Sequence, residues 1–291
     1  MLRIVIPKGS LEQATLALFE AADLSVRRTS DRQYHGWIED PRVAEVSILR
    51  PQEIPTYVEE GRFDLGITGQ DWVAEREAGV VEVTELHYSK NTPSPIRIVL
   101  AVSAESGIDH PGKLPPDLRV STEYPGLATR YFQRLGIPAK VVLSYGATEA
   151  KVPEIVDAIV DNTETGSTLR RHGLKIIDTL MESWTVLVAN PKAMEDPAKR
   201  QAIQELQILL DGAVRARGKV LVKLNVAGSR LDGVLGLLPS MKAPTVSRLA
   251  GGDFYAVETV VEKSQINLLI PELKAKGAED IIELPLSKIV P

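Results

Sequence analysis

Apolar and polar positions along most of the chain alternate between two rhythms. Short apolar runs suit strands, and longer stretches with an apolar residue every three or four positions suit helices. Leu2–Ile6 is an apolar run broken at Pro7, and Pro7-Lys8-Gly9-Ser10 reads as a turn in which Ser10 can cap the next helix. That helix, Leu11–Ala22, has apolar residues at 11, 14, 18, 19 and 22. A strand over Val43–Leu49, a helix over Ile54–Glu60 and a strand over Asp64–Thr68 follow, and Gly69-Gln70-Asp71 opens a helix through Ala78. The alternation resumes near Pro95. Strands are predicted over Ile96–Val102, Leu118–Ser121, Lys140–Leu143, Ile155–Val160, Lys175–Leu180 and Thr185–Ala189, with a helix after Thr122-Glu123-Tyr124-Pro125-Gly126 through Leu135. Strand–helix alternation of this kind predicts two α/β lobes in tandem, with a cleft between them.

The rhythm changes after a long helical stretch, Asp196–Arg217, that is apolar at 203, 206, 209, 210, 213 and 214. The order is then strand (220–226), helix (229–238), strand (245–249), strand (254–261), helix (264–276) and strand (280–284), the β-α-β-β-α-β order of a ferredoxin-like module. A domain boundary is expected near 216–218. At 291 residues, two or three domains fit the length.

Composition narrows the function classes. Hydrophobic residues are 44% and charged residues 25%, the balance of a folded globular chain. A net charge of −5 without a basic run, and only 5% aromatics, argue against nucleic acid as a partner. The absence of cysteine excludes disulfides, thiolate metal sites and thiol nucleophiles. The four histidines have no zinc-enzyme spacing. No apolar run is long enough to span a membrane, and the N-terminus lacks the apolar stretch of a signal peptide, so a cytoplasmic location is expected.

The most informative stretch is Asp161-Asn162-Thr163-Glu164-Thr165-Gly166-Ser167-Thr168-Leu169. A predicted strand ends at an acid, and a loop of hydroxyl residues feeds a helix. Backbone N–H groups at a helix start, beside the Thr165, Ser167 and Thr168 hydroxyls, can bind phosphate, and Gly166 permits close approach. The same pattern also fits an ordinary capped helix start. Gly66-Ile67-Thr68-Gly69-Gln70-Asp71 is a second cluster, in which Asp71 can simply favour the positive helix end. Lys8, Arg50, Asp71, Glu123 and Asp161 all follow predicted strand ends, where α/β sheets bind ligands. Arg130 lies one turn into its helix, and Glu149 sits in Gly146-Ala147-Thr148-Glu149-Ala150 after the Lys140–Leu143 strand.

The segments IVIPKGSL, LRPQEIPTYVEEGRFDLGITGQD, TEYPGLATRYF, GATEA and DAIVDNTETGSTLRRHGL, with the tail from KVLVKLNVAG to LPLSKIVP, resemble the long form of ATP phosphoribosyltransferase. The resemblance covers essentially the whole chain. It implies an α/β fold with a two-lobed catalytic core like type II periplasmic binding proteins, plus a C-terminal ferredoxin-like regulatory domain. The implied division is 1–94 with 182–216 for lobe I, 95–181 for lobe II and 217–291 for the regulatory domain. The implied reaction transfers the phosphoribosyl group of 5-phosphoribosyl 1-pyrophosphate (PRPP) to N1 of ATP, with inversion at C1 and release of pyrophosphate, in the first committed step of histidine biosynthesis. Mg²⁺ is the implied cofactor, held mainly through pyrophosphate oxygens.

Carried onto this sequence, Thr165, Gly166, Ser167, Thr168 and Leu169 would cradle the 5-phosphate, and Asp161 would hold the ribose hydroxyls. Lys8 and Arg50 would face anionic groups and, with Asp161, form the catalytic set. Gly69, Asp71, Glu123, Tyr124, Arg130 and Glu149 would shape the ATP side of the cleft. Feedback inhibition by histidine is implied at the third domain, near Asn225, Ala243, Thr245 and the 254–260 strand. So is a homo-oligomer exchanging between dimers and hexamers. The chain departs from the family pattern at Asn162-Thr163-Glu164, which touches the ribose contacts, and at Arg248, which touches the regulatory module.

Two rival classes fit these residues less well. A solute-binding module of the same fold has no reason to combine Asp161 with the Thr165–Thr168 loop. A catalytically dead relative should have lost cleft charges, and this chain keeps them.

Overall fold

A computed structural model describes the chain except for residues 31–32, 89–93, 240 and 242. In order, the first part contains β1 (Leu2–Pro7), α1 (Glu12–Ala21), β2 (His35–Gly36), β3 (Val43–Leu49), α2 (Ile54–Glu59), β4 (Leu65–Gly69), α3 (Gln70–Arg76) and β5 (Val81–Glu85). There follow β6 (Ile96–Ser103), β7 (Leu118–Thr122), α4 (Pro125–Leu135), β8 (Ala139–Leu143), β9 (Ala158–Thr163), α5 (Ser167–Arg171), β10 (Leu174–Ser183), β11 (Thr185–Ala189), α6 (Pro191–Glu195) and α7 (Pro197–Ala216). The last part contains β12 (Lys219–Ala227), α8 (Leu231–Leu235), β13 (Thr245–Arg248), β14 (Phe254–Glu262), α9 (Lys263–Ala275) and β15 (Ala278–Pro285). The chain divides into two units, Met1–Gln207 and Ile208–Pro291, with the division inside α7.

The first unit is built on two sheets. One has the order β2-β3-β1-β4-β11-β5 and the other β10-β6-β9-β7-β8. Strands β1, β3 and β4 run parallel, and β11 enters antiparallel between β4 and β5. The two sheets, each flanked by helices of its own strand–helix units, answer to the two α/β lobes expected from the sequence. Every residue of β4 and of β11 is buried, which explains why both are apolar apart from Thr68 and Thr185. Strand β10 ends at Ser183 and β11 begins at Thr185, so the chain passes from one sheet to the other across Trp184.

Three local expectations change. Ser10 does not cap α1: the N-cap position is Leu11, without a side-chain cap. Strand β9 starts at Ala158, not Ile155, because Asp157 Oδ2 accepts the Arg119 N–H at 2.8 Å and residues 155 and 156 turn back onto the Lys151 carbonyl. It also runs on to Thr163, paired with β6, so Asp161 lies within the strand and not just past it. The third change is the helix expected over 229–238. It shortens to a 3-10 turn at Gly228–Arg230 followed by α8, in a segment carrying the weak helix formers Gly233 and Gly236. Strands β2 and β5 have no counterpart among the elements expected from the sequence.

The second unit carries one sheet, β13-β14-β12-β15, antiparallel throughout. With α8 and α9 inserted as the chain order gives, this is the ferredoxin-like topology. Burial alternates strictly along β12, and Val220, Val222, Leu224 and Val226 pack with Val257, Val261, Ile266 and Leu273. Among the described residues, no helix is long and apolar enough to cross a membrane.

Candidate active site

The β4–α3 junction supplies the most deeply buried charge. Asp71 is 2% exposed. A Cβ at Gly69 would stand 2.0 Å from Asp71 Oδ1, so glycine is what lets the carboxylate fold back over the strand end. Ser183 Oγ donates to Asp71 Oδ1 at 2.7 Å, and the Tyr124 hydroxyl donates to Oδ2 at 2.8 Å. Asn162 Nδ2 donates in turn to the Tyr124 oxygen at 3.0 Å. Burial pushes the Asp71 carboxyl up, and the Ser183 and Tyr124 hydrogen bonds pull the other way. Burial and the neighbouring Asp71 charge push the Tyr124 hydroxyl well up, so it stays a donor. One hydrogen-bonded chain therefore joins β4–α3 of the first sheet to β7–α4 and β9 of the second. The Trp72 ring stacks on Tyr124 with centroids 4.4 Å apart.

Helices α3 and α4 meet behind this chain. Glu75, on α3, accepts the Gly126 N–H at 2.9 Å and the Leu127 N–H at 2.8 Å, capping α4 from outside its own strand–helix unit. Arg130 answers from α4: its guanidinium donates to the Ala74 carbonyl and pairs with Glu77 at 3.2 Å.

Two adjoining cavities result. The first, of about 280 Å³, is walled by Leu11, Pro51, Trp72, Ile96 and Trp184, with polar groups from Gln52, Asp71, Glu123, Tyr124 and Asn162. The second, of about 380 Å³, is lined by Glu149, Asp161, Thr163, Thr165, Ser167 and Thr168. Asn162 and Glu164 line both. The loop of the second cavity is shaped by its own hydroxyls. Thr163 Oγ1 accepts the Gly166 N–H at 2.8 Å, Thr165 Oγ1 accepts the Ser167 N–H at 3.3 Å, and Gly166 takes a φ of +71° at the head of α5. Burial, reinforced by Glu149 and Glu123, pushes Asp161 up to about 6, against the Asn162 N–H that it accepts at 2.8 Å.

The structure thus brings Gly69, Asp71, Glu123 and Tyr124 to the first cavity. It brings Glu149, Asp161, Thr165, Ser167, Thr168 and Leu169 to the second, with Gly166 between its loop residues. Arg130 lines neither and is engaged with α3. Lys8 and Arg50 sit side by side at the ends of β1 and β3, where the Lys8 N–H donates to the Leu49 carbonyl. Lys8 Nζ lies 3.9 Å above the Tyr34 ring. In the second unit Asn225, on β12, donates to Asp280 at 2.9 Å, Thr245 opens β13, and Ala243 precedes it. Sequence reasoning missed Gln52, Trp72, Ser183 and Trp184. Ser183 lies 112 residues from the Asp71 it holds, and nothing local marks it.

Among the described residues, no three His, Cys, Asp or Glu side chains converge as a metal cage. Glu149, Asp161 and Glu164 instead line the second cavity, and Glu123, on the first, adds its charge near Asp161. That donor set suits a hydrated divalent ion that takes most of its ligands from a bound diphosphate.

A family profile described as ATP phosphoribosyltransferase matches residues 50–212, and one described as HisG, C-terminal domain, matches residues 216–288. ATP phosphoribosyltransferases from Pelotomaculum thermopropionicum and Desulforudis audaxviator are 49% and 48% identical to this chain, each over 100% of it and 99% of the relative. Among solved structures, the ATP phosphoribosyl transferase (HisG:HisZ) complex from Thermotoga maritima has a chain 27% identical to this one. It aligns with a TM-score of 0.62 over 72% of this chain and 99% of that one. With one profile spanning more than half the chain and relatives aligned over all of it, the chain belongs to the ATP phosphoribosyltransferase family, pentosyltransferases of histidine biosynthesis that use ATP and PRPP and need a divalent metal.

Proposed function

We propose that the two adjoining cavities divide the substrates between them, with the ATP base in the first and the phosphoribosyl group in the second. The observation that carries this reading is their contrast in lining. One has aromatic and aliphatic walls suited to a planar base, and the other has hydroxyls and loop N–H groups suited to a phosphate. They meet at Asn162 and Glu164, so base N1 and ribose C1 approach each other there.

In the reaction the N1 lone pair forms a bond to C1 as the C1–oxygen bond to pyrophosphate breaks, with inversion. N1 is already nucleophilic, so no side chain acts as general base. Catalysis rests on positioning and on charge. Thr165, Gly166, Ser167, Thr168 and Leu169 hold the 5-phosphate. Asp161 accepts from the ribose hydroxyls and lies close to the positive charge that develops on the ring. Lys8 and Arg50 serve the anionic groups. Gly69, Asp71, Glu123 and Tyr124 shape the base side, Glu149 borders the ribose side, and Arg130 fixes α4. Mg²⁺ is the divalent ion of this reading, and it neutralises the leaving pyrophosphate when bound.

The proposed domain assignment is residues 1–94 with 182–216 and residues 95–181 as the two catalytic lobes, and 217–291 as a regulatory domain that binds histidine near Asn225, Ala243 and Thr245. A cytoplasmic location and assembly into homodimers and hexamers belong to the same reading, and sedimentation showing only monomer would overturn the assembly. Calorimetric titration of the full chain tests both binding assignments. With Mg²⁺ present, PRPP is expected to bind saturably and to weaken about tenfold in Ser167→Ala. Histidine is expected to bind the wild type and not Asn225→Ala. Unchanged PRPP affinity in the first variant, or no saturable histidine binding in the wild type, would overturn the corresponding assignment.

A further inference from the structure

Gln52 follows β3 in the turn that leads to α2, and with Pro51 it lines the aromatic cavity. The turn is pinned from two directions. Thr68 Oγ1 donates to the Pro51 carbonyl at 2.9 Å, and Arg76 Nε donates to the Gln52 carbonyl at 3.2 Å. These bonds use backbone oxygens and leave the side-chain amide free. Gln52 Oε1 is shut off from solvent, and among the described residues it is the one buried side-chain polar atom without a hydrogen-bond partner. Folded proteins seldom bury such an acceptor without a use for it.

We infer that Gln52 is a specificity residue for the 6-amino edge of the purine, its Oε1 accepting an N–H from the exocyclic amino group of ATP. This rests on the proposed placement of the ATP base in the aromatic cavity. The chemistry requires a grip beside N1 that leaves the N1 lone pair untouched. An acceptor at the amino group meets that requirement, whereas a donor there would compete for N1. A 6-oxo purine would set its oxygen against Gln52 Oε1, two acceptors face to face, and its N1 carries a hydrogen. Rotation of the terminal amide about Cγ–Cδ is the motion that would present Oε1 to the base, from a residue that already lines the cavity.

The test compares ATP with purine riboside 5′-triphosphate, which lacks the amino group, as acceptors of the phosphoribosyl group from PRPP. The enzymes are the full-length wild type, Gln52→Leu and Gln52→Glu. The intrinsic difference in N1 reactivity between the two bases is common to all three enzymes, so it cancels when their preferences are compared. The preference for ATP in kcat/KM is expected to fall about tenfold in Gln52→Leu, with the KM for PRPP unchanged. Gln52→Glu keeps an acceptor and is expected to retain the preference to within about threefold. If Gln52→Leu loses both triphosphates equally, Gln52 only supports the fold and the inference is overturned. If the wild type turns over neither triphosphate with PRPP, the placement of the base has failed, and the inference falls with it.

Discussion

Asp161 is held under two opposing demands. The proposed reaction needs its carboxylate charged beside the ribose, yet burial and the nearby Glu149 and Glu123 push its pKa up to about 6, from 3.8. The folded chain therefore binds this proton more tightly than the unfolded chain. Its contribution to stability is greatest below about pH 4 and is lost as pH rises through about 6. A shift of about two units corresponds to about 3 kcal/mol, which partial solvent access reduces by roughly half. Asp161→Asn is thus expected to stabilise the free enzyme by about 1–2 kcal/mol at pH 7 and by nothing at pH 4, as denaturant midpoints at the two pH values would show. The same variant should lose about 10–100-fold in kcat/KM for PRPP, while the wild type gains activity with an apparent pKa near 6. Equal denaturant midpoints for variant and wild type at pH 7 would contradict this account. Asp161, Asp71 and the Thr165–Thr168 hydroxyls were legible in the sequence because each sits in a compact run of chemically suited residues. Ser183 and Gln52 were not legible. Their meaning depends on neighbours that only folding supplies: the Asp71 carboxylate for one, and the unpartnered burial of an amide oxygen for the other.

Elements bring these residues together through a few specific contacts. The α3–α4 junction is one, because a single carboxylate, Glu75, satisfies two N–H groups at the start of a helix that belongs to the other sheet. Glu75→Ala should leave those donors unpaired at a cost of about 1–3 kcal/mol. Glu75→Gln keeps one acceptor oxygen and should cost less. Urea denaturation followed by circular dichroism checks the order, and an Ala variant as stable as the Gln variant would contradict the capping role. Most elements could be read from the chain because buried strands announce themselves as largely apolar runs, as β6 and β11 do. The start of β9 could not. Ile155 and Val156 are as apolar as the strand, and only the Asp157–Arg119 contact and the register with β7 place the first strand residue at Ala158. Strand β5 was missed because it is a short edge strand whose Val-Glu-Val-Thr-Glu alternation pairs only with the later β11.

At the scale of the molecule, the two α/β sheets and the β-α-β-β-α-β module were legible from the order of elements alone. The placement of β11 between β4 and β5 was not, because that pairing joins segments separated by all five strands of the second sheet. It is also what builds the site. As it returns to the first sheet, the chain sets Ser183, Trp184 and Thr185 in the wall of the first cavity, which Tyr124 and Asn162 also line. The fold thus assembles the two cavities from segments spread over most of the first unit. The most direct test of the central claim is steady-state turnover of ATP with PRPP and Mg²⁺, coupled to pyrophosphatase and followed by product absorbance, in wild type and Asp161→Ala. The account predicts stoichiometric pyrophosphate and phosphoribosyl-ATP from the wild type, with kcat/KM at least about tenfold lower in the variant. Wild-type enzyme that forms no product, or a variant that forms it equally well, would contradict it.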